Sequence, residues 1–491
     1  MRVYTKGQKR ERGTVVGRMY DIVVVGGGSA GLTAARTAVG LGARVALVDK
    51  ERLGGECLWS GCVPSKSLIA AARAAHQTRR LAEFGLRGAL EPVDLGAVMD
   101  SVHGVIAAIE RGEDADAMRR LGIDVALGQT RFRSPRELEV DGRVLHGRAF
   151  IICTGSHAAV PSMPGLDTVD YLTNETLYDL RVLPERLLVV GGGPVGVESA
   201  QAFRRLGAQV TVIAGEGLLP REDSEVRTAL EKIFAHEGIT VRRGTARRVV
   251  RDGAEIRVHF DGANGAAEAR GGHMLFALGR RPNVEGLGLE AVGVAYDPHR
   301  GVTIDPYLRT TAPHIFACGD VTGPYRFTHA AGFQAAAAVR NALFPRLKSK
   351  ANLAPMPWTT FTDPEVARAG QTEEEARRTH GDVIVLRAPF TQVDRAYAER
   401  DTEGFVKLVV TPGGKILGGH IVGTHAGEYI QEVTLAMRKG LGVLDLAQTI
   451  HVYPTLSMAV QQAALGYYGR TPFYRLMRGR FGPLVRRALG A

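Results

Sequence analysis

Cysteine is scarce in this 491-residue chain: Cys57, Cys62, Cys153 and Cys318 are all it has, too few for the cross-linked framework of a secreted protein of this length. Long apolar runs are missing too. The most hydrophobic stretches, such as 187–190, are strand-sized, whereas a membrane span needs about 20 apolar residues. The charged N-terminal segment lacks the apolar stretch of a secretory signal, so a cytoplasmic protein is expected, with Met19 as a second candidate start. Acids are absent from residues 459–491, which hold six arginines, and residues 1–18 carry six bases against one acid. These two ends hold the whole net charge of +11 and the body between them is balanced. A nucleic-acid partner would have to be read by the tails alone, with no binding motif beside them, so none is expected.

Glycine is placed with a pattern. An apolar strand at 20–25 runs into Gly26-Gly27-Gly28-Ser29-Ala30-Gly31, an alanine-rich helix ending near Gly40, and a second strand at 44–48 that ends in Asp49. The glycines Gly26, Gly28 and Gly31 let backbone approach a pyrophosphate at a helix N-terminus, and Asp49 stands where an acid bonds ribose hydroxyls. The pattern returns at 187–190 with Gly191-Gly192-Gly193-Pro194-Val195-Gly196, a helix through Leu206 and a strand at 209–213. One such turn is weak evidence; two complete units form an internal repeat, and two dinucleotide sites can exchange electrons. The second copy has Ala214 at the place of the acid. A 2'-phosphate is therefore not repelled, and Arg204, Arg205 and Arg221 are its candidate partners, which favours NADPH and leaves NADH open.

Between the copies lies Gly54-Gly55-Glu56-Cys57-Leu58-Trp59-Ser60-Gly61-Cys62-Val63-Pro64-Ser65-Lys66, followed by a helix-forming run at 67–76. A metal clip would need two more ligands, and no second cysteine pair or histidine cluster supplies them, so no metal site is expected. Residues five apart in a regular helix are too distant to be bridged, so a disulfide between Cys57 and Cys62 needs an irregular turn at Gly61. Pro64 suits a first helical turn, placing Cys62 just outside a helix N-terminus that, with Lys66, favours a thiolate. Cys153 and Cys318 read as small buried hydrophobes at strand ends.

The cysteine segment, together with Ile152-Cys153-Thr154-Gly155-Ser156, Ala277-Leu278-Gly279-Arg280-Arg281-Pro282-Asn283 and Ile315-Phe316-Ala317-Cys318-Gly319-Asp320, resembles the class I pyridine nucleotide-disulfide oxidoreductases, the family of dihydrolipoamide dehydrogenase, glutathione reductase and mercuric reductase. The resemblance covers residues 19 to about 465. It implies an α/β fold of two Rossmann-like dinucleotide-binding domains plus a C-terminal α+β dimerisation domain, and a homodimer. The boundaries it implies are a discontinuous FAD-binding domain at 19–158 and 275–348, an NAD(P)-binding domain at 159–274 and an interface domain at 349–469, between a basic extension at 1–18, expected to be disordered, and a basic helical tail at 470–491.

By the same resemblance FAD would be held by Gly26, Gly28, Gly31, Asp49, Lys66, Thr130, Gly155 and Asp320, and NADPH or NADH by Gly191, Gly193, Gly196 and Gly279. Glu198 would pair with Lys66 beside the flavin. Hydride would pass from the nicotinamide to the flavin and electrons onward to the disulfide, Cys62 facing the flavin and Cys57 exchanging with the acceptor.

The acceptor side departs from the family. Dihydrolipoamide dehydrogenase and glutathione reductase carry a His-Pro motif followed by Glu near the C-terminus. Here the run is His451-Val452-Tyr453-Pro454-Thr455-Leu456-Ser457-Met458, with Tyr453 at the base position and Met458 at that of the acid. A phenol of pKa about 10 shuttles protons poorly near neutrality; His451 is the nearest substitute, and a lone histidine reads first as a packing residue. Tyr453, the segment 327–334 and Asp394-Arg395-Ala396 are similar to mercuric reductases, although no cysteine follows Cys318. The leading expectation is thus a mercuric reductase-like enzyme delivering electrons to a disulfide or soft-metal acceptor. The alternatives are the dihydrolipoamide dehydrogenase of a 2-oxo acid complex and an NAD(P)H diaphorase acting on quinones. The tail reads as a helix packed on the dimer domain, or as a peripheral membrane contact through Arg475, Arg478, Arg486 and Arg487.

Overall fold

A computed structural model describes residues 19–263 and 265–471, and beyond them Tyr474, Met477 and 479–481. The expectation for residues 1–18 and most of that for the tail lie outside the described residues. The chain divides into two compact units. The first comprises the described residues up to Gly55 with Gly112–Ser156 and Pro282–Ala351; the second comprises Glu56–Arg111, His157–Arg281 and the described residues from Asn352 onward.

The first unit is built on a seven-stranded sheet. Its central strand, Met19–Val25, pairs in parallel with Val45–Asp49 on one side and Arg143–Ile152 on the other. Successive side chains point to opposite faces of a strand, and both faces are dry: Ile22 and Val24 enter one apolar core, Val23 and Val25 the other. The first core is roofed by two helices, Ser29–Gly40 and Thr328–Leu343, that lie against each other through alanines such as Ala34, Ala38, Ala331 and Ala335. Small side chains permit that approach. Ile315–Ala317 pairs in parallel with Arg143–Ile152 and completes the sheet.

The second unit holds the repeat of this device. Arg186–Val190 lies between Gln209–Ala214 and His273–Phe276, all parallel, and Gln209–Ala214 leads through Thr240–Asp252 into the antiparallel strands Glu255–Gly262 and Gly265–Gly271. The cysteine helix Cys62–Arg79 packs between helices Pro194–Leu206 and Leu95–Glu110 in one continuous core. A five-stranded antiparallel sheet follows, in the order Pro357–Thr360, Glu365–Gly370, Ile416–Gly423, Phe405–Val410, Ile384–Pro389, backed by helices Ala426–Lys439 and Met458–Leu465. The architecture is the expected α/β class with a C-terminal α+β region. Among the described residues no helix is long and apolar enough to cross a membrane.

Candidate functional site

The first glycine turn is shaped by close approaches. Gly26 has φ +107°, and a Cβ there would sit 2.4 Å from the Cys153 carbonyl oxygen; one on Gly31 would meet the Gly26 carbonyl oxygen at 1.7 Å. Gly28 caps the helix Ser29–Gly40 and offers no side-chain hydrogen bond to its first turn. Asp49 accepts from Gly27 N at 2.7 Å through one oxygen and from Glu51 N at 3.1 Å through the other. Elsewhere in this unit Thr130 donates to Gly128 O (3.1 Å), and Gly155 has φ +71° with open space where a Cβ would stand. Asp320 accepts from Ser156 Oγ at 2.6 Å. Asn283 and Thr154 clamp each other, side chain to carbonyl in both directions, at 2.7 Å. Ser156 and Asn283 lie inside the quoted motifs but drew no role from sequence, because only the fold reveals their partners. Close-packed glycines, a glycine-capped helix N-terminus and the hydroxyl, carboxylate and amide groups of Thr154, Ser156, Asn283 and Asp320 suit a dinucleotide's pyrophosphate and polyol.

The second turn repeats this geometry. A Cβ on Gly191 would lie 2.2 Å from Ala277 O, and one on Gly196 would lie 2.1 Å from Gly191 O, while Gly193 faces open space and caps Pro194–Leu206. Gly279 has φ +103° and accepts from Ala159 N at 2.9 Å. The equivalence of Asp49 and Ala214 is visible in three dimensions: a Cβ on Gly27 approaches the Asp49 carboxylate, and one on Gly192 approaches Ala214 Cβ at 2.8 Å. Of the three expected phosphate arginines, Arg204 donates to Glu237 O (2.7 Å) and the buried Arg205 is bound to Glu237 and Asp363, so these two are committed to structure, whereas Arg221 is exposed. The arginines around the loop after Ala214 are Arg227, which donates to Glu216 O at 2.6 Å, and Arg243, paired with Glu231 at 2.7 Å; both lie within 4 Å of where a Gly217 Cβ would be.

The cysteine segment forms two helices, Gly55–Trp59 and Cys62–Arg79, broken at Ser60-Gly61. Cys62 is the first residue of the second helix rather than the residue just outside it, and Pro64 lies in the first turn as expected. Gly61 makes the break possible: a Cβ there would come within 2.9 Å of Glu56 O and 3.3 Å of Cys57 Cα, so the turn folds Gly61 back onto Cys57. Cys57 is half-buried and Cys62 exposed. Glu56 is fixed by an ion pair with Arg280 and by Asn174 Nδ2 at 2.7 Å, and Asn174 also donates to Ser60 O at 3.1 Å. This clamp on the cysteine turn was not legible in the sequence.

One turn along the helix, Lys66 Nζ donates to Glu198 Oε2 at 2.9 Å and to Ser65 Oγ at 3.2 Å, and lies 4.4 Å from the centre of the Phe361 ring. Glu198 is buried and its other oxygen accepts from Phe361 N at 2.8 Å. The structure thus brings Lys66 and Glu198 together across 132 residues. Tyr178 is buried in the same core; burial first, then the Glu198 charge, push its hydroxyl far above the ordinary range.

Near the C-terminus Tyr453 is two-thirds exposed and donates to Asp394 Oδ2 at 2.8 Å, and that hydrogen bond raises its pKa. His451 is enclosed, with Nδ1 against Thr449 O and Nε2 against Glu432 Oε2, both at 2.9 Å. Burial raises the Glu432 carboxyl.

Residues 20–335 match the family described as pyridine nucleotide-disulphide oxidoreductase, and residues 356–464 match its dimerisation domain. The chain belongs to this family. It is 37% identical over 453 residues to a mercuric reductase of Streptomyces lividans, covering 91% of this chain and 95% of that one. It is also 37% identical over 465 residues to a dihydrolipoyl dehydrogenase of Thermus scotoductus, covering 91% and 97%. Among solved structures it resembles the Cu(II) complex of the HOCl-induced flavoprotein disulfide reductase RclA from Escherichia coli, with a TM-score of 0.82 and 27% identity over 91% of this chain and 99% of that one. The protein is therefore an NAD(P)H-dependent flavoprotein disulfide oxidoreductase that uses FAD and carries the family's dimerisation domain.

Proposed function

We propose that this oxidoreductase uses NADPH to reduce a soft metal ion, in the manner of a mercuric reductase, through the pair Cys57 and Cys62. The observation that carries the reading is the helix Cys62–Arg79, which has a cysteine as its first residue, a second cysteine across the Gly61 fold, and Lys66 locked to buried Glu198 one turn later. FAD, held by the first glycine turn with Asp49, Thr130, Gly155 and Asp320 in a domain of residues 19–158 and 275–348, would accept hydride from the nicotinamide and hand on two electrons. Cys57 and Cys62 would alternate between disulfide and dithiol, taking up two electrons and two protons per cycle. Dithiol sulfur is a soft ligand and suits a soft cation.

Two features favour a metal over a disulfide acceptor. Reducing a disulfide requires a proton for the leaving thiolate, but Tyr453 is a phenol whose pKa Asp394 raises further, and His451 is tied to Glu432 and Thr449. A metal ion needs no such proton. NADPH is favoured by the absence of an acid at Ala214 and by Arg227 and Arg243 beside the following loop; the Arg227 Nε is buried with no hydrogen-bond partner.

Anaerobic titration of the FAD-loaded enzyme with NADPH tests the reading: wild type takes up four electrons, and Cys57→Ser and Cys62→Ser take up two. Mercuric or cupric ion then sustains NADPH oxidation in wild type alone. Two-electron uptake by wild type, with full turnover in both variants, would overturn it, and fast reduction of lipoamide would instead support the dihydrolipoamide dehydrogenase reading.

A further inference from the structure

We propose that Cys153 and Cys318 are a second thiol–disulfide couple, a modification site inside the first unit that a small neutral two-electron oxidant closes to a disulfide. Their sulfurs are 3.5 Å apart although the residues are 165 positions apart in sequence. The strands Arg143–Ile152 and Ile315–Ala317 are parallel neighbours with Phe316 opposite Ile151 and Ala317 opposite Ile152. The ladder runs one step further, Cys318 N donating to Ile152 O at 3.0 Å, so the two cysteines form the next cross-strand pair. Neighbouring strands are about 4.8 Å apart, inside the roughly 4.4–6.8 Å Cα separation that a disulfide spans. Both side chains enter the same apolar core as Ala30, Ala331 and Ala335, so closing the bond needs side-chain rotation rather than strand movement.

Burial first, and the neighbouring Cys318 second, hold the Cys153 thiol far above the usual range. Only a thiolate attacks an oxidant. The reaction is therefore slow at neutral pH and accelerates with alkalinity, and a charged oxidant is excluded from this core. With an azodicarboxamide, the Cys153 thiolate adds to one nitrogen of the N=N bond and Cys318 displaces that nitrogen. Two thiols lose two electrons and two protons, and the azo group gains both to become a hydrazine. The bridge would tie together the segments leading to Gly155-Ser156 and Gly319-Asp320, which Ser156 and Asp320 now join by a hydrogen bond.

The test treats FAD-loaded Cys57→Ser/Cys62→Ser protein, and wild type beside it, with diamide at pH 7 and pH 9, followed by acid quench, alkylation under denaturing conditions and non-reducing peptide mapping. In wild type a Cys57–Cys62 link falls within a different tryptic peptide, so the two bridges are read separately. The expected result is a Cys153–Cys318 cross-linked peptide, formed faster at pH 9, absent from Cys318→Ala and reversed by dithiothreitol. Quantitative alkylation of both thiols after diamide at pH 9, or a link that appears only when oxidant is added to unfolded chain, overturns the proposal.

Discussion

At the residue scale, the pair Lys66 and Glu198 shows what the site demands of single side chains. Glu198 is buried and feels two donors, Lys66 Nζ and Phe361 N, whereas the Lys66 side chain remains about one-third exposed. Removing one partner of a fully buried pair costs about 3–5 kcal/mol; with water reaching the lysine, Glu198→Ala should cost about 1–2 kcal/mol. Glu198→Gln keeps an acceptor for Phe361 N and should cost less. Denaturant midpoints for the two variants check this ordering, and an equal loss would mean that the charge paired with Lys66 carries the whole effect and the acceptor kept for Phe361 N contributes nothing. Tyr453 gives a second expectation at this scale. If proton supply limits disulfide acceptors, Tyr453→His, which puts an imidazole of pKa near 6.5 in place of a phenol, should raise the lipoamide reduction rate at neutral pH by about tenfold or more. An unchanged rate would show that the acceptor side is set by something other than proton transfer.

At the scale of elements, the glycine turns were legible because their chemistry is local. A strand, three glycines and a helix occupy one short window, and the repeat doubles the signal. The start of the cysteine helix differs from expectation by a single residue, Cys62, because Pro64 marks a first turn without saying which residue opens it. Contacts between distant segments left no local trace. Cys153 and Cys318 each look like an ordinary buried thiol, and Arg204 and Arg205 look available until Glu237 and Asp363 fold against them. Gly61 is the element whose role is most open to test. Its missing Cβ faces backbone atoms of Glu56 and Cys57, which cannot rotate away as a side chain would. Gly61→Ala should therefore destabilise the enzyme by about 1–3 kcal/mol through overpacking, and should slow Cys57–Cys62 disulfide formation measured by thiol titration. Normal disulfide formation in a stable variant would show that the close approach is incidental to the redox pair.

At the scale of the whole molecule, the second unit joins its nucleotide-binding part to its C-terminal sheet through a buried ion cluster. Lys407 sits in the strand Phe405–Val410, all but inaccessible, with Asp223, Glu225 and Glu373 at 2.8, 2.6 and 2.8 Å. Asp223 also caps the helix Ser224–His236. A lysine within Phe-Val-Lys-Leu-Val-Val is the one sequence sign of this cluster, since such a strand has no solvent face for it. Burial opposes charge on Lys407, yet the three carboxylates raise its pKa overall. Glu225 is drawn down to about 2, first by its hydrogen bond to Arg387 and then by Lys407. Burial works against the Asp223 carboxylate too, but Lys407 leaves it below the ordinary range. The sign of the linkage follows. Depressed carboxylates contribute stability that is complete above their unfolded values near pH 4 and is lost as pH falls toward about 2; the raised lysine contributes fully below about pH 10 and fails only above that. Lys407→Met would strand buried Asp223 without its cation, while Glu373 keeps Arg377 at 2.8 Å, so it should cost about 3–5 kcal/mol at pH 7. The difference from wild type should shrink between pH 5 and pH 2, because acid protonates the same carboxylates in wild type and removes what the lysine supplied. Glu225 keeps Arg387 in the variant and should retain part of its own depression. Unfolding of both proteins followed by tryptophan fluorescence across that range checks the shape, and Trp358, bonded through its indole nitrogen to Glu222 beside the cluster, is a local reporter. A penalty that stays constant from pH 7 to pH 2 would mean that Lys407 acts through its packed methylenes rather than its charge.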